Sequence, residues 1–240
     1  METKKITIND FILPIIIIAL SIGYGYYVLT YPVDTIVSNY LSLPLIFKMV
    51  RQHFYLILVS ASLAIATSVP LGILLSRPMF KRVRSLIVGI VNVGQTIPSL
   101  AVIALFVGIL GIGSKTAIFA LWMYSLLPIL NNTIAGMTGV SPFIIDSAIG
   151  MGMTKVRTLF FVELPIALPV IMAGIRTAVV INVATAVIAA YVGAGGLGDF
   201  IIAGKNINRW QILLLGAGYA SLIALLLDHI LGVVERILTQ

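Results

Sequence analysis

Apolar positions in this chain run in long blocks. They show neither the alternation of a half-buried strand nor the single stripe of a soluble amphipathic helix. Six blocks are long enough to cross a bilayer, which takes about 20 helical residues. They are 9–31, 52–76, 85–111, 115–138, 164–192 and 211–235. Hydrocarbon offers the backbone no hydrogen-bond partner, so each block predicts a helix rather than an open strand. The expected fold is an all-α membrane protein with six transmembrane helices. Residues 32–51, with Pro32 and Pro44, predict a short outer linker, and 139–163 are the largest hydrophilic piece.

Composition agrees with that pattern. Of 240 residues, 60% are hydrophobic and 10% charged, against about 25% charged in soluble domains. A soluble enzyme, a disordered chain and a collagen-like fibre are excluded. Cysteine is absent, which excludes disulfides, thiolate catalysis and cysteine-ligated metals.

The net charge of +7 sits between the apolar blocks, which speaks for membrane topology rather than nucleic acid. Lys4, Lys5, Arg77, Lys81, Arg82, Arg84, Lys155, Arg157 and Arg236 fall on one side. Lys48, Arg51, Lys115, Lys205 and Arg209 fall on the other. Basic residues concentrate on the cytoplasmic face, so both termini are expected in the cytoplasm. Tyr24, Tyr26, Tyr27 and Tyr31 then form an outer aromatic belt. The first block reads as a retained helix, because it continues to Tyr31 and Pro14 interrupts any signal-peptide core.

Polar groups at membrane depth are costly unless they face protein or water. Asn92, Gln95, Thr96 and Ser99 recur at helical spacing and predict one stripe on the third span. Pro98 should kink or open that helix near the bilayer middle, as happens around many transporter sites. Similar lines are Ala178, Asn182, Thr185 and Ala189 in the fifth span, and Ser60, Ala64, Thr67 and Ser68 in the second. Ser125, Pro128, Asn131 and Asn132 mark the fourth. Two explanations stay open: close helix packing through small residues, or a shared hydrophilic path. The candidate path residues are Asn92, Gln95, Thr96, Pro98, Ser99, Asn131, Asn182 and Thr185.

Arg176 and Asp228 are the charges at depth; either they pair or Arg176 snorkels to water. One buried carboxylate is too few for a typical proton-driven carrier. His53 and His229 have no partners at metal-ligand spacing, so no metal is expected. No Walker A sequence occurs: Gly204-Lys205 is followed by Asn206. Residues 193–198 formally match G-x-G-x-x-G, but a membrane helix precedes them, so they predict a sharp turn. The loop down to Trp210 should then fold back into the outer mouth of a path.

The loop 139–163 opens Gly139-Val140-Ser141-Pro142. Ser141 suits an N-cap and Pro142 the first helical position. A short helix should run toward Gly150, with Phe143, Ile144, Ala148 and Met151 as apolar contacts. Gly152 should break it, and Thr154 should cap a second short helix ending before Pro165. A short apolar helix held between two membrane helices is a docking element waiting for its partner.

Asp146-Ser147-Ala148, Gly152, Val162 and Leu164-Pro165 resemble the "EAA" loop of ABC importer permeases, with Asp146 in place of the motif's Glu. The chain is similar in particular to permeases of osmoprotectant importers. That similarity is carried by Gln95–Leu100, Leu126–Thr133, Gly174–Thr177 and Gly193–Phe200. It covers about residues 50–240. It implies a type I permease core of five helices over 51–236, with 1–50 as an added N-terminal helix and outer linker. It also implies that residues 141–160 couple to a cytosolic ATPase, with Phe143, Asp146, Ala148, Gly150, Gly152, Leu164 and Pro165 as coupling positions.

The implied partners are ABC ATPase subunits, a second permease copy, an extracytoplasmic solute-binding protein and the lipid bilayer; no nucleic acid is implied. The chain itself would be no enzyme and would hold no cofactor, ATP being hydrolysed by the partner. Its place would be the cytoplasmic membrane of a bacterium or archaeon. The implied cargo is glycine betaine, carnitine or choline. Alternatives are an amino acid such as methionine, or a stand-alone ion-coupled carrier or channel.

Overall fold

The computed structural model describes residues 9–238; Lys4 and Lys5, which entered the charge count, lie outside them. The described residues are helical, in the order α1 (Asn9–Thr30), α2 (Thr35–Tyr40), α3 (Leu43–Leu75), α4 (Lys81–Thr96), α5 (Ser99–Leu110) and α6 (Ser114–Thr138). There follow α7 (Pro142–Gly150), α8 (Lys155–Thr158), α9 (Leu164–Ala186), α10 (Gly198–Asn206) and α11 (Trp210–Leu238). Among them, five helices are long and apolar enough to cross a membrane: α1, α3, α6, the continuous run Lys155–Val192, and α11.

Local chemistry sets the boundaries. The Asp34 carboxylate accepts the Val37 N–H at 2.9 Å and starts α2 inside the linker. Ser42 caps α3, and Pro44 sits in its first turn. The second span therefore begins near residue 43 rather than 52, and the linker is shorter than expected.

The third block, 85–111, opens at Pro98 as expected, and more sharply than a kink: α4 and α5 meet at 100°. Pro98 cannot donate a backbone hydrogen bond, and the residue before proline is driven out of helical geometry. Ile97 accordingly has ψ 130°. With 12 residues, α5 spans only about 18 Å.

The expected stop at Pro165 is also corrected. Thr154 does cap α8, its hydroxyl accepting the Arg157 N–H. The chain then passes through a π-turn, Leu159–Glu163, straight into α9. The Leu164 N–H reaches five residues back to the Leu159 carbonyl. That longer step carries the helix past a proline lacking its own N–H.

The core sits on α6, which packs against α3 on one side and α9 on the other. Ala117, Ala120, Leu121 and Ile129 are wholly buried there. Lipid removes the hydrophobic drive between helices, so close approach must supply the attraction. Gly174 permits it: a Cβ there would lie 2.5 Å from the Asn132 Cβ and 2.8 Å from the Pro128 carbonyl oxygen. α11 lies against α9 and α10, and α1 lies against α11.

Gly174→Ala is expected to cost about 1–3 kcal/mol through overpacking. The melting temperature of the purified protein in detergent should fall by roughly 3–10 °C. An unchanged melting curve would mean that α6 and α9 do not meet so closely.

Candidate functional site: the broken helix and the α7–α8 loop

The α4–α5 elbow is held by two reciprocal hydrogen bonds to one residue of α6. The Gln95 side-chain amide donates to the Tyr124 carbonyl at 2.6 Å. The Tyr124 hydroxyl donates to the carbonyl of Ile97. Tyr124 is 9% exposed, so its hydroxyl needs a protein partner. The elbow presents polar groups at its surface: Asn92 and Thr96 are exposed, as is Pro98, while Gln95 and Ser99 are half-buried. The single stripe expected for Asn92, Gln95, Thr96 and Ser99 is corrected, because Ser99 opens α5 on the far side of the bend.

The other candidate path residues divide. Asn131 is exposed on α6. Asn182 is 0% exposed and donates to the Ser60 hydroxyl at 2.8 Å, joining α9 to α3. The Ser60 hydroxyl itself donates back to the Leu56 carbonyl. Thr185 donates to its own helix at the Ile181 carbonyl. In this conformation Asn182 acts as packing between helices.

The charges at depth pair. Arg176 donates Nε and Nη2 to the two carboxylate oxygens of Asp228, at 3.0 and 3.1 Å. Its Nη1 reaches Glu235 at 3.1 Å. Two acids one turn-pair apart on α11 thus grip one guanidinium of α9, in the planar fork that suits arginine.

On the opposite end of the bundle the linker is bolted to α11. The buried Gln211 amide accepts from the Val33 N–H at 2.7 Å and donates to the Tyr31 carbonyl at 3.0 Å. Asp34 pairs with Arg209 beside it. The Val37 N–H, with Arg209 adding to it, holds the Asp34 carboxyl below its usual range. The glycine turn packs here on α3: Gly196 donates to the Gln52 side-chain oxygen at 3.3 Å. Gly193, Gly195 and Gly196 all have positive φ, so the segment is a tight turn, as its sequence predicts.

At the other end of the bundle α7 runs Pro142–Gly150. The Ser141 backbone carbonyl accepts the Ile144 and Ile145 N–H groups, while its side chain makes no cap bond. Ala148 faces inward at 2% exposure, whereas Phe143 is 84% exposed. Asp146 and Gly150 are exposed too. Gly152 ends the helix at φ +90°. Leu164 is half-buried and Pro165 exposed where α9 begins. A cavity of about 370 Å³ lies beneath, lined by Ile145, Ile149, Val156, Leu159, Arg77 and Glu163. Glu163 is 4% exposed, and Arg77, just after α3, donates to it at 2.6 Å.

Sequence reasoning missed Tyr124, Gln211 and the Arg77–Glu163 pair. The first two carried a signal, as polar side chains at the middle and the start of apolar blocks. The third joins positions far apart along the chain, and no local pattern reports it. Among the described residues no group of three or more His, Asp or Glu side chains could hold a metal ion.

The model of the family described as "Binding-protein-dependent transport system inner membrane component" matches residues 68–240. The choline transport system permease protein OpuBB of Bacillus subtilis is 43% identical over 188 residues, 78% of this chain and 86% of that one. The carnitine transport permease protein OpuCB of Listeria monocytogenes is 46% identical over 188 residues, 78% and 85% of the two chains. The osmoprotectant import permease protein OsmY of Salmonella typhimurium is 46% identical over 182 residues, 76% and 77% of the two chains. A solved inward-facing structure of the MetNI methionine ABC transporter superposes with a TM-score of 0.75. It covers 83% of this chain and 100% of that one at 20% identity, a likeness of fold alone.

Arg77→Ala and Glu163→Ala should each destabilise the α7 end of the bundle, and the double variant should cost little more than either. A double-mutant cycle by denaturation is expected to give a coupling of about 1–2 kcal/mol. Strict additivity would mean that the pair does not tie the loop to α3.

Proposed function

This chain belongs to the family of binding-protein-dependent transport system inner membrane components and is the permease component of an ABC importer; on that basis we propose that it carries a small quaternary-amine or zwitterionic osmoprotectant across the cytoplasmic membrane of a bacterium. Relatives at 43–46% identity are named for choline, carnitine and osmoprotectants, which favours this cargo over methionine. The permease works as a pair with a second copy. Two cytosolic ATPase subunits bind below and a solute-binding protein delivers from outside.

Counting the bent α4–α5 pair as one broken crossing gives six; an even number puts both termini on one side, and the basic residues make that side the cytosol. The support for coupling is the exposed apolar surface of α7. Phe143 and Met151 stand free on a short helix, and burying such surface stabilises a complex at about 25 cal/mol per Å². The π-turn makes α8 and α9 one continuous rod, and Arg77–Glu163 ties that rod to the end of α3. A displacement of α7 by the ATPase therefore reaches two core helices directly.

ATP closes the ATPase pair, and the permease halves rock between two orientations. Solute must be held more weakly on the inward side for net import. The broken helix, with Asn92, Thr96 and Ser99 around the elbow, lines the path. It offers hydrogen bonds without fixed charge, which suits a cationic head with little hydrogen-bonding capacity. The chain contributes no catalytic group and binds no cofactor; ATP belongs to the partner.

Reconstitution with ATPase and binding protein in liposomes should give ATP-dependent uptake of labelled choline, glycine betaine or carnitine, and the permease alone should give none. Methionine uptake in their place would replace the cargo. Unaided accumulation would replace the transporter class. Gly152→Val meets open space but strained backbone. It should cut uptake at least tenfold with membrane abundance unchanged. Full uptake would remove the coupling role of the loop.

A further inference from the structure

α4 is a membrane helix of 16 residues without a single buried side chain. Its place in the bundle therefore cannot come from a packed apolar face, the usual source of helix position. Polar contacts at its end take that role. Pro98 supplies no N–H, and extended Ile97 turns its carbonyl away from the α5 axis. The N–H groups of Ala101 and Val102, in the first turn of α5, both go to the Pro98 carbonyl. The Ile97 carbonyl is thus left without a helical partner, at membrane depth, where an unmet carbonyl is expensive. The Tyr124 hydroxyl meets it. Two residues before the break, Gln95 donates back to the Tyr124 main-chain carbonyl.

We propose that Tyr124 is a positioning residue of the transport cycle: its hydroxyl and carbonyl clasp the α4–α5 corner and fix the angle at which solute movement stays tied to the ATPase stroke. This rests on the corner lining the path. Both bonds break together when α4 and α5 swing relative to α6. The corner therefore has discrete positions rather than a soft hinge, as packed switching elements do. Tyr124 lies inside α6, the helix packed on both α3 and α9, so its two hydrogen bonds carry movement of those helices to the corner alongside the packing of α5 on α6.

Tyr124→Phe keeps the ring and removes the donor. In the full complex, solute imported per ATP hydrolysed is expected to fall at least fivefold, with the melting temperature shifting by no more than a few degrees. The chain has no cysteine, so Thr96→Cys gives a single label at the exposed corner. Its reaction with a maleimide should run at least threefold faster when Tyr124→Phe is added. An unchanged ratio of solute to ATP overturns the proposal. So does a parallel fall of uptake and hydrolysis, which is what a mere packing role produces. If Tyr124→Phe does not fold, Gln95→Met, which loses the amide donor at similar volume, is judged by the same ratio. Absence of ATP-driven uptake by the unsubstituted complex would strike the transport reading instead. Labelling of the permease alone tests the clasp independently of it.

Discussion

Lipid cannot hydrogen-bond to a backbone, and every other feature of this protein is arranged around that fact. Long helices satisfy most of the constraint by themselves, even where Pro14, Pro70, Pro128 and Pro169 sit inside α1, α3, α6 and α9. Where Pro98 interrupts the pattern, a carbonyl is released, and a tyrosine from a neighbouring helix takes it. At Pro165 the same problem is solved within the chain by a π-turn. Two prolines with one chemical defect thus give opposite outcomes. One bends a span by 100°, and the other leaves a rod intact.

Side chains obey the same rule. Asn182, Ser60, Arg176 and Gln211 are polar groups inside or at the rim of an apolar bundle, and each finds a protein partner. Their bonds join segments that are distant in sequence. In lipid such cross-links and close glycine contacts replace the hydrophobic drive that assembles a soluble core. Membrane-depth polarity here serves assembly in the interior of the bundle and exposes itself at the elbow. That contrast separates buried from exposed polar groups among residues that look alike in a sequence.

The two ends of the bundle differ in character. On the linker side, Gln211, Asp34–Arg209 and the glycine turn tie loops down. On the α7 side, apolar side chains stand unshielded on a helix that is itself firmly braced. Rigid support under an exposed apolar surface is what transmission of force from a separate motor requires.

Block length and apolar content alone marked five of the six expected crossings as long helices, because a bilayer imposes one length scale on any crossing. Local chemistry marked the break at Pro98, the start of α7 at Pro142 and the turn at Gly193, since proline and glycine act on their own backbone. Tertiary structure decided the rest. Whether Pro98 or Pro165 would break its helix depended on what lay within reach of the freed groups. Whether Asn182 or Asn92 would face the interior depended on which neighbour covered it. Arg176 chose pairing over snorkelling because α11 brought two carboxylates to it. Partners contributed by other helices leave no trace in the local pattern, so spacing along one chain could nominate these residues but could not assign them.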